Sequence, residues 1–428
     1  MPSASFFSSR FSALRSPDFR NLWFGQIFSA AGSMMQFAAL NWQIYDLTGS
    51  PVALGAIGLV RVVPIVLFSL LGGAFADAYD RRKLLMMTQT TLALVALALG
   101  FLSITHHTTL WSIYTLSAIG AAAVAFDNPS RQALIPSLVP REHLPNAFAL
   151  NSTGFQVATI AGPALAGLVI KHYGVGGAYL INAGSFLAVI GALLTLRFRP
   201  APRSEEDTSA APAVSIAALK EGVAFVLGTP ILTATMLIDF VATFFSSASA
   251  LLPIFAKDIL HVGPDGYGFL AAAPAVGALL AGLIVTFLPP ISRQGRVLVW
   301  AVMAYGLVTI GFGFANIFAL SALFLAATGA ADTVSTILRQ TIRQTVTPDR
   351  LRGRMVAINM IFFMGGPQLG ELEAGLVAKA FGAVASVVSG GIGSVLAAGL
   401  IASRAPWLMQ FRLADWHEAQ KEEQNATL

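Results

Sequence analysis

Residues 131–174 read RQALIPSLVPREHLPNAFALNSTGFQVATIAGPALAGLVIKHYG, and residues 339–382 read RQTIRQTVTPDRLRGRMVAINMIFFMGGPQLGELEAGLVAKAFG. At a shift of 208 residues the two stretches align without a gap and share thirteen of 44 residues, from Arg131 and Arg339 to Gly174 and Gly382. So biased a composition would give roughly four identities by chance, so the chain carries an internal duplication. The duplication predicts two halves of one fold.

The composition places both halves in a membrane. Of the 428 residues, 56% are hydrophobic and 11% are charged, against about 25% charged in a soluble domain, which excludes a water-soluble fold. A hydrocarbon core ~30 Å thick needs about 20 apolar residues per helix. Helices are predicted because barrel strands would alternate polar with apolar residues. Twelve spans are predicted, near residues 20–45, 51–76, 83–105, 109–134, 144–171, 175–197, 230–256, 264–288, 296–316, 318–340, 352–378 and 380–402.

The predicted fold is an all-α membrane protein with twelve transmembrane helices in two pseudo-symmetric six-helix bundles. On this topology 22 Lys and Arg residues fall on one side, and only Lys171, Lys257 and Lys379 fall on the other. Lys and Arg are retained in the cytoplasm, so both termini are predicted to be cytoplasmic. The predicted segments are a cytoplasmic N-terminal segment (1–19), the first bundle (20–197), a cytoplasmic linker with a short surface helix (198–229), the second bundle (230–402) and a cytoplasmic tail (403–428).

Several chemistries are excluded by what the sequence lacks. The chain has no cysteine, which excludes disulfides and thiolate metal sites. No lysine follows a glycine, so the phosphate-binding G-K-[ST] motif is missing. The histidines fall in loops, span ends or the tail, so we expect no metal, no cofactor and no enzyme. The net charge of +5 reflects topology, and the predicted partner is the bilayer rather than nucleic acid.

The stretch GAFADAYDRRK, residues 73–83, joins spans two and three. Asp77 at the end of one helix is followed by Arg81, Arg82 and Lys83, which could bind helix termini and carboxylates of the opposite half. We therefore predict a cytoplasmic latch at this loop, which opens when the halves tilt. The alternative is simple positive-inside topology, which explains the three basic residues but not Asp77.

Two further acid–base spacings are predicted to belong to the cytoplasmic gate. Asp127 and Arg131 lie four residues apart with the acid first, the order that favours an ion pair on one helix face. We predict that this pair is the gating partner of the 73–83 loop, with a purely local pair as the alternative. Asp332 and Arg339 lie seven apart, two turns along one face, and are predicted to serve the second half similarly.

Ionisable residues inside the spans are candidates for proton coupling. Each costs at least ~2.5–3.5 kcal/mol near the centre of a span, so it must face water, protein or another charge. Asp239 has only Met, Ile, Phe and Thr around it in sequence, and loss of water disfavours a charged carboxylate. Asp239 is therefore predicted to bind and release protons, the alternative being a structural pair with a charge elsewhere in the bundle. Glu371 and Glu373 in span eleven and Arg61 in span two are further candidates.

The 73–83 loop resembles the signature of the major facilitator superfamily, in outline G-x-x-x-D-R-x-G-R-[RK]. Four positions match the signature: Gly73, Asp77, Arg81 and Arg82. Ala78 and Asp80 stand where the family has Arg and Gly. In this superfamily spans two and eleven are neighbours, which implies a pair between Arg61 and Glu371 or Glu373.

A second resemblance is to the span-five motif of the exporting branches, in outline G-P-x-x-G-G. Gly162, Pro163 and Gly167 match it, and Ala166 departs from it. Small residues let helices approach closely and Pro removes a backbone hydrogen bond, which predicts a bend; generic tight packing is the alternative. The stretches DFRNLWFGQ and YDLTGSPVALG also resemble the siderophore and multidrug exporter branch.

The resemblance, which covers essentially the whole chain, implies a secondary transporter in the inner membrane. We expect a monomer that exports a small amphipathic molecule, siderophore or drug-like, by alternating access in exchange for protons. Proton-coupled uptake by the same fold is one alternative. A non-transporting membrane receptor or enzyme is the other.

Overall fold

The computed structural model describes residues 11–196, 216–245, 248–289, 291–348, 351–413 and 415–416. Every regular element in these ranges is a helix, so the predicted all-α class is confirmed. Residues 198–215 of the predicted linker and most of the predicted tail lie outside the described residues.

The first half is built from long helices. Proline or a capping side chain marks their starts: Pro17 and Pro51 stand at the first turn, where no N–H donor is needed, and Thr109 forms a capping box with Ser112. The helices are α1 (Pro17–Thr48), α2 (Pro51–Ala78), α3 (Arg81–Ile104), α4 (Leu110–Leu138) and α5 (Leu144–Thr195).

The second half begins with a short helix that packs on a later one, through the ion pair of Glu221 with Arg354. Three short helical turns, Ala248–Leu251, Leu252–Ile254 and Phe255–Ile259, follow the first long helix of this half. The helices are α6 (Ile216–Gly228), α7 (Pro230–Phe245), α8 (Gly263–Phe287), α9 (Gln294–Phe314), α10 (Phe318–Val346), α11 (Arg352–Phe381), α12 (Ala383–Arg404) and α13 (Pro406–Gln410).

Two glycines at equivalent positions of the duplication make equivalent turns. Gly174 interrupts α5 with φ 70° and ψ 177°, and Gly382 lies between α11 and α12 with φ 92° and ψ 159°. A positive φ favours glycine because it has no Cβ. The duplication therefore extends to backbone geometry, and α5 contains predicted spans five and six.

Nine helical segments among the described residues are long and apolar enough to cross a bilayer. One of these, Arg141–Thr195, contains two predicted spans, and α1 and α11 add 32 and 30 residues. At 1.5 Å per residue, α1 and α11 each exceed a hydrocarbon core of ~30 Å. The helices are therefore consistent with the predicted twelve.

The chain divides into two compact units. Unit 1 is Met1–Arg203 with Pro253–Ala272, and unit 2 is Ser204–Leu252 with Ala273–Leu428. In unit 1 the most extensive packing is between α1 and α5, and in unit 2 it is between α9 and α12. The segment 253–272, which the span assignment gives to the second bundle, thus packs with the first.

Candidate transport site

A cavity of about 620 Å³ with a mixed polar and apolar lining lies within unit 1. Its apolar walls include Phe148, Phe155 and Phe186. A smaller cavity of about 100 Å³ shares Ser33 and Arg61 with it. The polar and charged side chains that line the larger cavity are those of Gln26, Ser29, Ser33, Arg61, Gln89, Asp127, Asn128, Arg131, Gln132, Asn151 and Ser152. The first bundle therefore offers a place for an amphipathic molecule.

The predicted pair of Asp127 and Arg131 is present in the cavity wall. Asp127 Oδ2 accepts from Arg131 Nη2 at 2.5 Å and from Nε at 3.1 Å. Asp127 Oδ1 accepts from Thr88 Oγ1 at 2.8 Å and from Gln89 Nε2 at 2.7 Å. The carboxylate is buried and bonded at both oxygens, so it stabilises the contact between α3 and α4 as well as the charge on Arg131.

The loop between α2 and α3 is held by backbone oxygens. Arg81 donates to the Ala133 carbonyl at 2.9 Å. Arg82 donates to the carbonyls of Leu194 and Leu196, at 3.1 and 3.4 Å, where α5 ends. Arg82 thus satisfies carbonyls at the C-terminus of α5, as basic side chains commonly do. Both arginines bind within unit 1.

Asp80, which departs from the family signature, has a structural role in the same loop. Its carboxylate accepts from the backbone N–H groups of Arg82 and Lys83, at 2.9 and 3.4 Å, and so caps the N-terminus of α3. The side chain of Asp77 and the surroundings of Gly73 lie outside the described part of the structure. The latch contacts of Asp77 therefore stay a prediction.

Unit 2 contains a buried cluster around Asp239. Its Oδ1 lies 3.0 Å from Arg339 Nη2, and its Oδ2 accepts from Arg343 Nη2 at 3.2 Å. Arg343 also donates to the Thr235 carbonyl at 2.8 Å. The arrangement found is the alternative that the sequence left open, a pair with charges elsewhere in the bundle, and α10 supplies both arginines.

Asp332 lies at the edge of this cluster. Its Oδ1 is 3.5 Å from Arg339 Nη2, so the predicted pairing of these two side chains is observed. The Asp332 side chain is 48% exposed, whereas those of Asp239 and Arg339 are 3% exposed. Arg339 thus joins a buried carboxylate to an accessible one.

The remaining proton-coupling candidates lie in both units. Arg61 places its guanidinium 4.4 Å from the centre of the Phe37 ring, a cation–π distance. Glu371 is buried and Glu373 is half-buried on α11. A pair of Arg61 with either glutamate would join residues of different units, and it stays a prediction.

The glycine motif of α5 provides close approach between chain segments. A methyl group at Gly162 would lie 2.6 Å from the Ala31 carbonyl oxygen, and one at Gly167 would lie 2.5 Å from the Pro264 carbonyl oxygen. Such distances leave no room for a side chain. The backbone angles of α5 stay helical through Pro163.

The segment 253–272 makes polar contacts that sequence reasoning missed. Lys257 Nζ lies 2.6 Å from Asp46 Oδ1, and Lys171 Nζ lies 2.7 Å from Asp265 Oδ2. The Tyr45 hydroxyl donates to Asp258. The signal that could have found them was the isolation of Lys171 and Lys257 on the side that the span assignment predicts to be poor in Lys and Arg. The predicted topology assigned both lysines to a side of the membrane, but it did not identify their partners.

These features define a class, that of multi-pass membrane transporters built from two duplicated helical bundles. The family described as transmembrane secretion effector matches residues 8–426, and the chain belongs to this family of the major facilitator superfamily. The chain is accordingly a transporter and not an enzyme.

Individual relatives agree with this assignment. The chain is 25% identical over 399 residues to the multidrug efflux pump Tap of Mycolicibacterium fortuitum, covering 91% of this chain and 96% of Tap. It is 25% identical over 397 residues to the enterobactin exporter EntS of Shigella boydii serotype 18, covering 92% of this chain and 94% of EntS.

Solved structures show the same fold. A bacterial homologue of the human lysosomal transporter Spinster, in an inward-facing and unoccupied conformation, superposes with a TM-score of 0.73 at 15% identity, covering 93% of this chain and 98% of that one. The nucleoside transporter NupG superposes with a TM-score of 0.68 at 13% identity, covering 92% and 98%. The predicted major facilitator fold is therefore confirmed.

Proposed function

We propose that the protein exports a small amphipathic molecule, siderophore or drug-like, by alternating access in exchange for protons. The observation that carries the proposal is the cavity of about 620 Å³ in unit 1, with the Asp127–Arg131 pair in its wall. The mixed lining suits a molecule with an apolar body and hydrogen-bonding groups. Tap and EntS are named as exporters, which supports the outward direction.

In this proposal the bundles 20–197 and 230–402 rock against each other about the linker 198–229. Asp77, Arg81 and Arg82 form the cytoplasmic gate with the Asp127–Arg131 and Asp332–Arg339 pairs. The protein works as a monomer in the inner membrane, with both termini in the cytoplasm, where the excess of Lys and Arg is retained.

Proton coupling requires a carboxylate that changes its charge during the cycle. The candidate acids are Asp239, Glu371 and Glu373, and Arg61 is the proposed partner of a glutamate. Asp239 and Glu371 are buried and are therefore shielded from bulk water. Asp239 is paired with two arginines of α10, which supports a structural role for Asp239 and a proton carrier elsewhere.

Transport by everted membrane vesicles tests the proposal. Vesicles with a proton gradient should accumulate ethidium or a catecholate siderophore, and either compound should accelerate proton release reported by a pH dye. Asp127→Ala should lower both rates, while its expression level is followed as a control. Vesicles that accumulate neither compound and show no compound-dependent proton release would contradict export, and proton-driven depletion of the vesicles would indicate uptake.

A further inference from the structure

The duplicated arginine is neutralised differently in the two halves. Arg131 and Arg339 occupy equivalent positions of the repeat. In the first half the acid is Asp127, four residues earlier on the same helix. In the second half that position holds Ser335, whose hydroxyl accepts from Arg339 Nη1 at 2.9 Å. The carboxylate comes instead from Asp239 on α7.

The second-half cluster needs one more acid to balance its charge. Asp239, Arg339 and Arg343 have side chains only 3–5% exposed, and together they carry one excess positive charge. An unbalanced buried charge is costly in a membrane. Asp332, 3.5 Å from Arg339, brings the sum to zero. Because a carboxylate in mid-span cannot face acyl chains, its exposed side must face water or a polar path.

Few other titratable groups of the described residues surround Asp332. From α10 itself Arg339 and Arg343 face the cluster, and Asp239 faces it from α7. From α9, Tyr305 lies close enough to interact electrostatically with Asp332. The part of α8 in unit 2, residues 273–287, contains no titratable residue. Asp332 is thus the accessible acid of a cluster whose other acid is buried between two arginines.

We propose that Asp332 is the carboxylate that binds and releases the exchanged proton, and that Asp239 is a positioning residue that holds Arg339. The inference rests on the proposed proton-coupled transport. One Asp332 oxygen takes a proton from water in one compartment, and the carboxylate becomes a neutral acid. The cluster then changes from zero to one positive charge and the contact with Arg339 weakens. The same O–H bond breaks when the proton is released to the other compartment.

Infrared difference spectroscopy measures this protonation without a substrate. Full-length wild-type protein and Asp332→Asn are reconstituted in liposomes, and spectra are compared between mildly alkaline and mildly acidic buffer. We expect a carboxylic C=O band on acidification of the wild type, its loss in Asp332→Asn and its return at a shifted frequency in Asp332→Glu. A band that persists undiminished in Asp332→Asn would overturn the proposal.

Ethidium and siderophore transport by the same liposomes separates this inference from the proposed function. Loss of the band in Asp332→Asn, with a wild type that transports neither compound, would support the proton site and contradict export. An active wild type with proton release unchanged in Asp332→Asn would leave export standing and overturn the role of Asp332.

The positioning role of Asp239 is tested by moving the acid. Asp239→Asn leaves two buried arginines with too little negative charge, and we expect loss of folded protein in detergent. Ser335→Asp places a carboxylate four residues before Arg339, as Asp127 stands before Arg131. The double variant Asp239→Asn/Ser335→Asp should therefore regain folded protein and proton-coupled transport. A double variant no better than Asp239→Asn would contradict the assignment.

Discussion

One buried carboxylate in unit 1, that of Asp127, accepts from Thr88, Gln89 and Arg131 at once. Its hydrogen bonds keep a charge in the cavity wall without a water shell. Gln89 is fully buried and has one amide oxygen without a hydrogen-bond partner.

Removal of the Asp127 carboxylate should destabilise unit 1 far more than removal of one of its donors. Asp127→Ala leaves Arg131 without its acid, and we expect the free energy of unfolding to fall by about 3 kcal/mol, since Arg131 is partly exposed. Thr88→Val removes one hydrogen bond and should cost about 1 kcal/mol. Denaturant unfolding in detergent measures both. Equal losses in the two variants would show that the ion pair contributes little.

Sequence spacing predicted those residue contacts that lie within one helix. The four-residue interval gave Asp127–Arg131, and the seven-residue interval gave Asp332–Arg339. Arg343 and Asp239 are 104 residues apart in the sequence. Helical spacing cannot predict their contact, because it relates only residues of one helix. The cap by Asp80 could have been predicted, because Asp directly before a helix is a typical N-cap.

At the scale of elements, α5 and the segment 253–272 pack backbone against backbone. Methyl groups at Gly167 and Gly268 would lie 2.5 and 2.6 Å from the carbonyl oxygens of Pro264 and Pro163. The sequence motif identified Gly167 as a close-approach position, but it could not name the partner segment. Gly268 lies outside the motif and was not predicted.

Gly167→Ala should loosen this contact, because a carbonyl oxygen cannot move aside as a flexible side chain can. Gly184→Ala in the same helix is the matched control, since nothing lies within 4 Å of its added methyl group. We expect a lower melting temperature for Gly167→Ala. The control should gain up to about 1 kcal/mol of stability from helix propensity. A Gly167→Ala variant as stable as the control would contradict the close packing.

Each ion pair of the segment 253–272 should stabilise its packing only weakly, and only while both partners are present. Lys171 and Asp265 are 52% and 33% exposed, so their attraction is worth about 0.2–1 kcal/mol. Lys171→Asp should raise the reactivity of a cysteine placed at buried Ala38 by a few-fold toward an impermeant maleimide, because the chain has no native cysteine. The charge swap Lys171→Asp/Asp265→Lys should restore the low reactivity. A swap that reacts as fast as Lys171→Asp would show that the attraction is not what stabilises the segment.

At the scale of the whole molecule, the duplication predicted the architecture because both halves must bury the same apolar faces. The duplication is also visible in the backbone, because Gly174 and Gly382, at equivalent positions of the repeat, both have a positive φ. The division into units was less predictable. The span assignment placed residues 253–272 in the second bundle, whereas they pack within unit 1, because packing depends on side-chain contacts that hydropathy does not encode.

In the proposed cycle the unit 1 cavity is open to one compartment at a time, and cysteine accessibility at Ser33 tests this most directly. Ser33 lines both unit 1 cavities, and Ser33→Cys introduces the only cysteine of the chain. We expect an impermeant maleimide to react from either side of oriented liposomes, and acidification to raise one rate while it lowers the other. Reaction from a single side under all conditions, or rates from the two sides that rise and fall together, would contradict alternating access.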